Sequence, residues 1–101
     1  MSTVLDYLKE GLAARKNRLQ ELQQIIQANY HGDLVRLYAK VAGWNETNEL
    51  TRNRMYNAMQ EHKHLEKMIK IQESEETQKE ILRLHLEINE FLRAINSMEM
   101  L

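Results

Sequence analysis

Cysteine and proline are absent from this chain, and glycine occurs three times. Without cysteine there can be no disulfide scaffold, thiol nucleophile, thiolate zinc site or iron–sulfur cluster. Without proline, only Gly11, Gly32 and Gly43 stand as natural interruptions to a helix. No stretch approaches the ~18 apolar residues that mark a membrane span. No basic region followed by an apolar run opens the sequence, so the expectation is a cytoplasmic protein without a membrane partner. The formal net charge of −1 argues against a generally basic nucleic-acid binder. A Gly-x-Ser-x-Gly elbow and a phosphate-binding glycine loop are both missing. Adjacent carboxylates such as Glu75 and Glu76 sit in a polar stretch with no apolar pocket to shift their acidity. The expectation is therefore a protein that is not an enzyme and takes no cofactor.

What is present is dominated by Leu, Met, Glu, Gln, Lys and Arg, all good helix formers. At 101 residues the chain reads as a single domain, 1–101, of the all-α class. Its first segment carries Leu5, Leu8, Leu12, Leu19, Leu22 and Ile26 at alternating steps of three and four. That is a heptad seam, and it needs a partner helix. Arg15 alone interrupts it, with two expected roles: to reach outward or pair with a glutamate of a neighbouring helix, or to form a buried specificity pair. Thr3 and Asp6 have capping-box spacing, and the helix is expected to run to about Tyr30, with Gly32 just beyond its end. A thinner second stripe, Tyr7, Ala14, Arg18 and Ile25, could take a third helix.

Asp33 then reads as the N-cap of a short helix with Leu34, Leu37, Tyr38 and Val41 on one face, stopped at Gly43 and followed by Trp44. A third helix, capped by Asn45 or Thr47, is expected to reach about Gln72. Its apolar face is Met55, Ala58, Met59, His62, Leu65, Met68 and Ile69. Methionine suits either core filling or an adaptable binding surface. Residues 72–77 hold no apolar side chain, and Thr77 with Glu80 has capping-box spacing. The following heptads, Ile81, Leu84, Ile88, Phe91, Ile95 and Met98, are out of phase with the third helix, so either the chain turns between residues 72 and 77, which is the favoured expectation, or one long helix continues through a phase slip. Leu82, Leu86 and Leu92 widen this last stripe beyond a two-helix seam.

Residues 34–70 carry seven Lys/Arg against four Glu, and residues 71–101 three against seven. This asymmetry either solvates opposite faces or draws the two segments together, within the fold or between subunits.

Four histidines raise a metal hypothesis. Glu61 and His64 supply one Glu-x-x-His, but di-iron bundles use two such motifs and further glutamates. His62 falls on the apolar face and His64 well round the helix from it, so no metal site is expected. His62 reads as a core-edge residue with a hydrogen-bond partner, and His31 as part of a helix C-terminus, where a cation is favoured. A degenerate helix-turn-helix is one alternative. Ala39, Gly43 and Trp44 follow the small–x₃–Gly–apolar pattern of its turn, and Asn45, Thr47, Asn48, Thr51, Arg52 and Arg54 would reach DNA. Against it, Glu49 stands where the motif wants a buried apolar residue.

The length, the missing cysteine and the central Gly43-Trp44-Asn45-Glu46 give another alternative. In these respects the chain resembles the small helical-hairpin partner proteins of type VII secretion. Their turn is Trp-x-Gly, whereas here glycine precedes tryptophan. The resemblance implies a helical hairpin that acts as a secretion partner, and it carries no site residues over.

The fold expected from the residues is an antiparallel bundle of three long helices plus one short connecting helix, forming an oligomer, most simply a homodimer. The expected function is a small protein–protein interaction module (adaptor, inhibitor or regulator) of the kind found in bacteria and phages. Its expected partner-binding residues are the apolars left over from the core: Tyr56, Ile71, Leu82 and Leu86.

Overall fold

A computed structural model describes residues 3–44 and 49–100. Among them it is all-helical, with α1 (Val4–Gln27), α2 (Tyr30–Ala42), α3 (Glu49–Gln72) and α4 (Glu75–Glu99). Three helices are long and one is short, in the order the periodicity predicts. None of them is long and apolar enough to cross a membrane. The chain divides into two compact units, one pairing α1 with α4 and the other α2 with α3.

In the α1/α4 unit the two helices run antiparallel. Lys9 lies 3.2 Å from Glu99, Arg15 2.8 Å from Glu87 and Arg18 2.9 Å from Glu80, so ascending positions on α1 meet descending ones on α4. The heptads explain the pairing: Leu22 of α1 and Leu84, Ile88 and Ile95 of α4 are buried, while Leu5, Leu8, Leu12 and Leu19 are half-buried. The predicted capping box starts α1. The Asp6 N–H donates to Thr3 Oγ1 at 3.1 Å, and the Thr3 N–H to Asp6 Oδ2 at 3.3 Å.

Arg15, the break in the seam, is held from three sides. Its Nε donates to Glu87 Oε2 at 2.8 Å and one terminal nitrogen donates to the Gly11 carbonyl at 3.1 Å. The guanidinium carbon lies 4.4 Å above the centre of the Phe91 ring. The side chain is half-buried and paired with a neighbouring helix, a polar tie placed inside an apolar seam.

Arg18 grips Glu80 with two nitrogens, at 2.9 and 3.4 Å. These hydrogen bonds hold the Glu80 carboxyl below its ordinary value of 4.5 and raise the guanidinium further. A lowered folded-state value means the stabilisation is complete above the unfolded value and fades as pH falls through the folded one. Wild type should therefore melt at a higher temperature than Glu80→Gln at neutral pH, and the gap should narrow as pH falls through the carboxylate range. A gap that stays unchanged as the carboxylates protonate would refute the assignment. Glu80, Glu87 and Glu99 thus place acidic charge of the C-terminal segment against cations of α1, residues outside the basic 34–70 stretch.

Three expected boundaries shift. The first helix ends at Gln27 and not near Tyr30, and the cap of α2 is Asn29 and not Asp33. The Gly32 N–H donates to Asn29 Oδ1 at 3.0 Å, and the Asp33 N–H to the Asn29 carbonyl at 3.0 Å. Asn and Asp are equally good caps, and the earlier one starts the helix, so α2 has 13 residues. Gly32 lies inside its first turn without a positive φ, so it is not a left-handed terminator. His31 accordingly belongs to a helix start, where its Nε2 lies 2.6 Å from Glu73 Oε1. The break after α3 falls at residues 73–74, where Ser74 and not Thr77 is the cap. Its Oγ accepts from the Glu76 and Thr77 N–H groups at 3.1 and 3.3 Å. Thr77 is buried in the first turn of α4, and its expected partner Glu80 is engaged by Arg18. The caps proposed for α3, Asn45 and Thr47, lie outside the described residues.

Candidate functional site

The α2/α3 unit carries the candidate site. Its helices are antiparallel: Tyr38 meets His62, and His31 meets Glu73. At the far end from the α2–α3 turn, the Gln72 side-chain amide donates to the Ala28 carbonyl at 2.8 Å. Near the turn, Gly43 stops α2, with its N–H donating to the Lys40 carbonyl at 3.3 Å. Trp44 then folds back onto the core. That core is thin. Leu37, Ala58 and Leu65 are buried, with Tyr30, Leu34, Val41 and Trp44 packed against them.

Two helices can bury only the stripes they turn towards each other. The remainder of the apolar face is open. A groove of about 210 Å³ runs along it, lined by Leu37, Tyr38, Val41, Met55, Ala58, Met59, His62 and Lys63. Leu37 and Ala58 form its floor, while Tyr38 is 52% exposed and Met59 54% exposed. One wall is fixed by a polar contact. Tyr38 Oη lies 2.8 Å from His62 Nε2, with the two rings tilted at 45° and their centres 5.6 Å apart. Glu66 Oε1 approaches the same nitrogen at 3.4 Å, one helical turn along α3. An Nε2 without a hydrogen accepts a hydrogen bond from the Tyr38 hydroxyl, whereas an Nε2–H can donate to the Glu66 carboxylate.

No protein family, curated protein or solved structure matches this chain. Among the described residues no three His, Asp or Glu side chains gather as metal ligands, and no buried side-chain nitrogen or oxygen lacks a hydrogen-bond partner.

The sequence-predicted partner residues fall in different places. Tyr56 is 63% exposed on α3, next to the groove residue Met55, whereas Ile71 is half-buried near the end of the same helix. Leu82 and Leu86, one turn apart, form a separate exposed edge on α4. Tyr38, Met55 and Met59 were expected on the apolar faces of their helices and do lie there, yet each remains substantially exposed. Their methionine content was the available signal. Of the alternative DNA-contacting set, Asn45, Thr47 and Asn48 lie outside the described residues. Thr51 is half-buried, and Arg52 and Arg54 are exposed. Arg54 lines a second, smaller hollow with Lys40, Trp44 and Glu61, so a carboxylate stands where a phosphate would approach.

Proposed function

We propose that this protein is a small non-catalytic protein–protein interaction module, an adaptor, inhibitor or regulator, whose docking surface is the α2/α3 groove. The observation that carries the reading is the solvent-open apolar groove with Tyr38, Met55 and Met59 exposed along it. Small-molecule sites enclose their ligand and commonly measure ~300–1,000 Å³, which this groove does not reach. An amphipathic helix needs less: a shallow apolar channel that accepts side chains one turn apart. Methionine walls can repack around different side chains at little cost. The protein is further proposed to act in the cytoplasm as part of an oligomer.

DNA binding through residues 39–54 has less support. A helix-turn-helix crosses its helices at about 90–120°. Here α2 and α3 stay in contact from Trp44 to Gln72, as antiparallel helices do.

A photoreactive p-benzoylphenylalanine in place of Tyr56 tests the groove in the intact chain, with the same residue in place of Leu82 as comparison. The expected result is a protein adduct at position 56 that disappears when Met59→Asp is added. Adducts at position 82 alone, or none at either, would overturn the reading.

A further inference from the structure

Arg52, Met59 and Glu66 are spaced one heptad apart on α3 and all three are exposed. An α-helix drifts only ~20° per heptad, so they share one stripe beside the groove. The stripe has a basic end, an apolar centre and an acidic end. We propose that a second copy of this chain covers this face, its α3 packed antiparallel on the first about a two-fold axis at Met59. The proposal rests on the reading of the groove as a protein-docking surface and names its occupant.

Charge chooses both the occupant and the direction. A two-fold axis at Met59 sets Arg52 of each copy against Glu66 of the other, giving two opposite-charge pairs around a Met59–Met59 contact. Tyr56 then faces the second copy's His62, and the stem of Lys63 covers the second copy's Met55. Parallel packing in the same register would oppose like charges at both ends and is disfavoured. The apolar part of the stripe is open to a second copy: Met55, Tyr56 and Met59 are 39%, 63% and 54% exposed.

Sedimentation equilibrium on the full chain tests this, with circular dichroism confirming that each variant stays helical. Wild type is expected to reach twice its mass of 12.1 kDa with increasing concentration. Arg52→Glu or Glu66→Arg alone should weaken association roughly tenfold or more, because like charges then meet. The double variant R52E/E66R should restore it, since each pair is merely reversed. Met59→Asp should abolish it. A wild type that stays at 12.1 kDa up to about 1 mM overturns the proposal. So does a dimer indifferent to Met59→Asp, or a double variant that fails to recover. A monomer that still gives the position-56 adduct with another protein overturns this proposal alone, whereas loss of that adduct overturns the groove reading with it.

Discussion

Leu22→Ala should lower the unfolding free energy by about 3 kcal/mol, the largest loss expected from truncating any leucine or isoleucine among the described residues. Leu22 is 1% exposed, and no other large side chain among the described residues is so fully enclosed. Removing its isopropyl group forfeits the transfer free energy of the three lost carbons and leaves a cavity that the surroundings fill only in part. Neighbouring seam positions are half-buried, so Leu8→Ala should cost clearly less. For a chain of this size, 3 kcal/mol corresponds to a fall of roughly 12–24 °C in melting temperature. Calorimetry of the two variants side by side checks both the size and the order. Equal losses would mean that Leu22 is not the anchor its burial indicates.

Gly11→Ala should fail to stabilise and should destabilise by up to about 2 kcal/mol, although helix propensity alone favours alanine by ~1 kcal/mol. The opposing effect is steric. A Cβ at position 11 would lie 2.6 Å from Phe91 Cε1 and 3.0 Å from Cζ. Carbon atoms at rest sit ~3.5–4.0 Å apart, so the ring must move, and overpacking of this kind typically costs ~1–3 kcal/mol. The ring is not free to swing, because the Arg15 guanidinium lies across its face and is tied to Glu87. The control is the same substitution beside Phe91→Leu, where the obstruction is gone and Gly11→Ala should become neutral or stabilising. If alanine stabilises the wild-type background as well, the close approach of Phe91 is not a constraint.

Much of the local structure is legible in the residues. The seam from Leu5 to Ile26, the Thr3–Asp6 box, the stop at Gly43 and the interruption before the last heptads all follow from side-chain chemistry within one turn of helix. The boundaries that moved did so where two good caps compete. Asn29 and Asp33 are four residues apart, as strong as each other, and Gly32 between them suits a helix end as well as a first turn. Ser74 and Thr77 pose the same choice. What could not be read locally is who faces whom. That Glu87 answers Arg15, that Phe91 rests on Gly11, and that His62 meets Tyr38 depend on pairings 24 to 80 residues apart in sequence. The groove itself is invisible for a related reason. Apolar spacing marks the face of a helix that seeks cover, but not whether the chain holds enough helices to cover it.

The order of the pairings bears on how the chain acquires its structure. Partners are nested: Tyr38 and His62 are 24 residues apart, His31 and Glu73 are 42, Arg18 and Glu80 are 62, and Arg15 and Glu87 are 72. Each ring of contacts encloses the one before it. Once the central hairpin has closed, every outer pair needs only a short further closure, because the intervening residues are already folded. Closing the α2/α3 pair therefore shortens the effective loop that the α1/α4 contacts have to close.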